Sequence, residues 1–135
     1  MRILWVLLVA AVLAGGCGKK AEPVRSVKVV KDTGAQTASA LAARLEAAGQ
    51  ISGSSQRDEA LEKVATDAAA AKDADIVKRA VNIIMASASK DRSAEACALA
   101  LAKQGDVKAA GEVAQMISAT SARDRTLAAI AKGEK

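Results

Sequence analysis

Ser87 and Lys90, three residues apart, form the pair in this chain best suited to nucleophilic chemistry. In such a pair an uncharged amine takes the hydroxyl proton and the alkoxide attacks an acyl carbon. Little else in the sequence has the makings of catalysis. There is no histidine, which excludes serine–histidine and cysteine–histidine nucleophile systems and the usual zinc sites. The cysteines are Cys17 and Cys97, too few for an internal disulfide once a leader has been dealt with. Asp58, Glu59 and Glu62, and Asp73 with Asp75, bring carboxylates together, but first turns of helices favour acidic residues without any catalytic reason. No cofactor or metal site is expected.

Two short motifs sharpen these candidates. Ser87-Ala88-Ser89-Lys90 resembles the Ser-x-x-Lys element of penicillin-binding enzymes, which implies a serine hydrolase or penicillin-binding-type activity using Ser87 and Lys90. The Lys-Thr-Gly element that accompanies it in that family is missing, and the same places elsewhere in the chain hold Ser54 with Arg57 and Thr120 with Arg123. A feature that recurs with arginine, which does not give up its proton, reads as a turn between structural units. Asp32-Thr33-Gly34-Ala35 resembles the aspartic protease signature. That chemistry needs two facing aspartates from a β-rich fold, which the alanine-rich remainder does not supply, so Gly34 is read as a breaker before the first helix.

The elements that position these residues repeat. Arg57-Asp58-Glu59-Ala60-Leu61, Lys90-Asp91-Arg92-Ser93-Ala94 and Arg123-Asp124-Arg125-Thr126-Leu127 follow at intervals of 33 residues (57, 90, 123). Lys72-Asp73, Ile76-Val77 and Ile83-Ile84 stand in the same relation to Gly105-Asp106, Ala109-Ala110 and Met116-Ile117. A period of this size marks stacked supersecondary units, each too small to bury its own apolar face. From Ala38 onward the apolar residues fall at helical spacing, as in Leu61, Val64, Ala65 and Ala68, and six such stripes predict six helices. Ser55 and Ser121, each three residues before an aspartate, are expected to cap helix starts, as are Asp73 and Asp106, and Gly105 to end a helix. Stacking would bring Arg57, Lys90 and Arg123 beside Asp58, Asp91 and Asp124 as an inter-repeat charge ladder, with a charged rim for a ligand as the other reading. Cys97 shares its repeat position with Val64 and Ile130, so it is read as a core residue.

The hairpin from Ala94 to Ala122, with its Lys103-Gln104-Gly105-Asp106 turn, small Ala98 and Ala110, resembles a tetratricopeptide repeat. Departures are plain: Leu61, Ala94 and Leu127 stand where that family has tryptophan, and Ala122 where it has proline. The resemblance implies an all-α fold, a short right-handed α-solenoid of antiparallel helix hairpins over 38–135, offering a groove for protein or peptide partners and performing no chemistry.

Ahead of this array Arg2 leads an apolar run from Ile3 to Ala14, closed by Gly15-Gly16-Cys17. At 1.5 Å per residue such a core falls short of a bilayer about 30 Å thick, so 1–16 reads as a secretory signal. Leu13-Ala14-Gly15-Gly16-Cys17 resembles a bacterial lipobox, which implies acylation of Cys17 and, with Gly18 following, placement facing the periplasm on the outer membrane of a Gram-negative cell. Residues 17–37 then form a flexible tether. The net charge of +5 is concentrated there, in Lys19, Lys20, Arg25, Lys28 and Lys31, and such a segment aids membrane attachment beside a lipid anchor. The helical part is nearly neutral and has no aromatic residue to stack on bases, so nucleic acid is not an expected partner. A structural protein whose amphipathic helices lie on lipid is the third class these features admit.

Overall fold

The computed structural model describes residues 33–133, and the described part belongs to one compact unit, Lys31–Lys135. The leader, Cys17 and the cations of the tether, together with Asp32, lie outside the described residues. The fold is all-α. Six helices occur among the described residues: α1 (Thr33–Gly49), α2 (Ser54–Ala70), α3 (Ala74–Ile83), α4 (Ser87–Lys103), α5 (Val107–Ala114) and α6 (Thr120–Lys132). None is long and apolar enough to cross a membrane.

The repeat is visible in the helix boundaries themselves. Helices α2, α4 and α6 begin at 54, 87 and 120, and α3 and α5 at 74 and 107. Buried stripes follow the same register: Leu61, Val64, Ala65 and Ala68 on α2 answer to Ala94, Cys97, Ala98 and Leu101 on α4. On α3 and α5, Ile76, Val77, Ala80 and Val81 answer to Ala109, Ala110, Val113 and Ala114. Each helix packs only against the next and the next but one, so α2, α4 and α6 lie side by side in one layer and α1, α3 and α5 in the other. A single apolar seam runs between the layers, from Leu41 and Leu45 to Ile117 and Ile130.

Local chemistry explains where the helices turn. The Asp73 and Asp106 carboxylates accept from the amides of Ile76 and Ala109, both at 3.0 Å, capping α3 and α5 as their sequence positions lead one to expect. Before each cap the chain takes one left-handed step, at Lys72 (φ 61°) and Gly105 (φ 87°). The amides of Asp73 and Asp106 then reach back to the carbonyls of Ala68 and Leu101, closing α2 and α4 with the same six-to-one bond.

Two expectations about helix starts are corrected. Ser55 and Ser121 do not cap; the cap positions of α2 and α6 are held by Gly53 and Ala119, with no side-chain bond from within either helix. The serines lie inside the first turn, past the point from which a hydroxyl reaches the free amides. Helix α1 begins at Thr33, ahead of Ala38, and takes in Gly34. In a first turn, where the amides have no intrahelical partners to lose, glycine does not break the helix.

Candidate functional site

The residues that recur most faithfully gather where one unit meets the next. Asp58 sits on the second turn of α2, buried, with one oxygen accepting from the amide of Met85 at 3.1 Å and the other from Ala86 at 2.9 Å. Met85 and Ala86 lead into α4, whose own cap residue, Ala86, offers no side chain for the purpose. Asp91 on α4 does the same for α6, accepting from Ser118 at 2.7 Å and Ala119 at 3.0 Å. Each of these helices is therefore capped by a carboxylate of the preceding unit, a bond between units rather than within one.

Charge follows from that geometry. The amides of Ala86 and Met85, helped by the neighbouring Arg57 guanidinium, hold the Asp58 carboxyl below its ordinary value. Asp91 is lowered in the same way, first by the Ser118 amide, then by Ala119 and the Lys90 charge, against an opposing effect of burial. The cations expected to form a ladder with these aspartates take other positions. Arg57 points a guanidinium nitrogen at the Met85 sulfur at 2.7 Å, and no ion pair joins Arg57, Lys90 or Arg123 to Asp58, Asp91 or Asp124 among the described residues. Ion pairs in register lie one turn further along: Glu62 with Arg92 at 3.2 Å and Glu95 with Arg125 at 3.9 Å. Asp124, the third of the aspartate series, is exposed.

Between the first turns of α2 and α4 these junction residues border an open groove of about 660 Å³. Its floor is the committed Asp58; its walls carry the hydroxyls of Ser54, Ser55 and Ser89, the Glu59 carboxylate, and the Glu62–Arg92 pair. At its rim stands Met85, an exposed thioether at 71% of its full area. Donors, acceptors and one soft apolar edge suit the binding of an extended polar segment.

Ser87 and Lys90 do not assemble into a reactive pair here. Ser87 is exposed in the opening turn of α4, and no hydrogen bond joins its hydroxyl to Lys90. Cys97 is buried in the seam, where desolvation pushes its thiol up to about 11. Among the described residues, no cluster of three or more histidine, cysteine or acidic side chains is placed to hold a metal.

The sequence carried a signal for the junction that helix-cap rules alone do not decode. Asp58 and Asp91 recur at one repeat position, and their amide partners lie 27 and 28 residues ahead in both cases. Comparison with family models, with curated proteins and with solved structures returns no match for the chain.

Proposed function

We propose that this chain is a membrane-anchored, exported scaffold: a short right-handed α-solenoid of tetratricopeptide-like hairpins that holds a protein or peptide segment and performs no chemistry on it. The observation that carries the reading is the identical junction at Asp58 and Asp91, which stacks successive units in one register and leaves a polar groove beside Met85. Packing of each helix against only its next two neighbours supports the solenoid, since stacked repeats contact nothing further away. Glu59 and the serine hydroxyls favour a segment that offers backbone amides and a basic side chain.

A photoreactive residue in place of Met85, in intact cells, is expected to capture a protein that the same residue in place of Lys108, on the exposed side of α5, does not. Equal capture at both places would sink the groove as the binding site. Attachment to the membrane through acylated Cys17, aided by Lys19, Lys20, Arg25, Lys28 and Lys31, belongs to the same proposal and rests on the lipobox resemblance. A Cys17→Ser variant should leave the membrane fraction; retention there would remove the anchor. For the hydrolase reading through Ser87 and Lys90, a β-lactam probe is the direct check, and no acylation of Ser87 is expected.

A further inference from the structure

The two ends of the helical array are complementary halves of one hairpin. Helix α6 stands in the register of α2 and α4, but no described helix follows it in the way that α3 follows α2. Helix α1, through Ala47 and Ala48 and with Ile51 just after its end, stands in the register of α3 and α5, but no described helix precedes it in the way that α2 precedes α3. Exposure marks both open faces. Ala131 is exposed although its counterparts Ala65 and Ala98 are fully buried, and Leu127 is only half-buried where Leu61 and Ala94 are fully so. On α1, Ala43 and Ala47 are exposed, while Ile76 and Ala109, Ala80 and Val113 are buried.

We propose that a second copy of this chain docks there, head to tail, the α6 face of one copy receiving α1 and α2 of the next. The inference rests on the repeat reading. Each contact it creates already exists inside the chain: α6 would meet the second copy's α1 as α2 meets α3, and its α2 as α2 meets α4. Charge matches as well. Asp124 is the exposed member of a series whose other members each accept two amides from the following unit. By register its partners are the amides of Ser52 and Gly53 at the start of α2, a helix with no side-chain cap of its own. Ala128 stands where α2 and α4 carry Glu62 and Glu95, and the residue it would face in the second copy is Glu59, so the junction avoids a like-charge clash. Beside Ala47 a dent of about 260 Å³, with Ala48, Ile51, Ala60 and Val64 as its apolar lining and Arg44 and Lys63 at its edge, would receive the Leu127 and Ala131 side chains of the other copy. Because the two faces differ, the contact is heterologous and extends beyond a dimer.

The test uses two differently tagged full-length chains, co-expressed, with each tag inserted between Lys20 and Ala21; one is captured and the other measured. Wild-type chains should co-purify. Asp124→Lys in both chains, or Ala47→Glu in both, should reduce capture about tenfold, as expected when a charge is set against the wrong partner. Pairing an Asp124→Lys chain with an Ala47→Glu chain leaves one intact junction and should restore capture, with Ala43→Glu as an independent second block on α1. Wild-type capture no higher than that of chains carrying both substitutions would overturn the proposal, and so would failure of the mixed pair. Either failure leaves capture at the Met85 groove untouched, so the scaffold reading is judged separately.

Discussion

At the start of α6 Asp91 does what Ser121 was expected to do, Asp58 does the same for α4, and that makes stability sensitive to acid. Their folded-state pKa values lie below the unfolded one, so the stabilisation is complete above the ordinary carboxylate pKa and disappears as pH falls through the lowered values. Unfolding midpoints measured in urea should therefore be flat from neutrality down to about pH 5 and drop below about pH 4. The Asp58→Asn, Asp91→Asn double variant should be less stable at pH 7 and lose less on acidification; an unchanged acid slope would mean that other carboxylates dominate. A second prediction concerns Lys72, which adopts the left-handed conformation that Gly105 adopts one repeat later. Its ammonium reaches the Gln104 carbonyl only at 3.4 Å, too long to offset much strain. Lys72→Gly should raise stability by about 0.5–1 kcal/mol, and Gly105→Lys should lower it by about 1–2 kcal/mol, read from urea midpoints.

Among the elements, the helices themselves were legible because apolar stripes at three-and-four spacing have one physical outcome, and Asp73, Asp106 and Gly105 announce their own turns through bonds spanning a few residues. The starts of α4 and α6 were not legible in that way. Their caps arrive from Asp58 and Asp91 of the previous unit, and a rule that looks three residues ahead cannot find a partner that becomes a neighbour only after stacking. The same limit applies to the charge ladder, of whose acidic members Asp58 and Asp91 are bound to amides and Asp124 stands exposed, and to Gly34, whose helix start depends on context. Alanine is the commonest residue in the space between the layers: Ala65, Ala68, Ala94, Ala98 and Ala110 are all fully buried. Helices so close leave no room for growth at these sites. Ala98→Leu should cost about 1–3 kcal/mol through overpacking, whereas Leu101→Ala, which empties a fully buried site, should cost about 2–5 kcal/mol. Denaturant curves that ranked Ala98→Leu as stabilising would mean that the seam is looser than its buried alanines indicate.

On the scale of the molecule, stability is shared between near neighbours, since among the described residues no helix touches one more than two places away. Such an array opens from its ends before it opens in the middle, and α6, with only Thr126 and Ile130 buried, is the weaker end. Cys97 lies in α4, in the interior of the seam, with its thiol both covered and pushed up to about 11. While the core is closed the thiol is both covered and held in its protonated form at pH 8, so labelling must wait for the core to open. Disulfide-exchange reagents should accordingly modify Cys97 slowly, at a rate that rises about tenfold for each 1.4 kcal/mol of stability removed by variants such as Leu101→Ala. Under the proposed anchoring, acylation would consume the Cys17 sulfur, and protein extracted from membranes should then show no faster thiol. A rapid phase lost in Cys97→Ser would place an exposed thiol in α4 and contradict the burial. A rapid phase that survived in Cys97→Ser would belong to Cys17, and would remove the proposed lipid anchor without bearing on the helical fold.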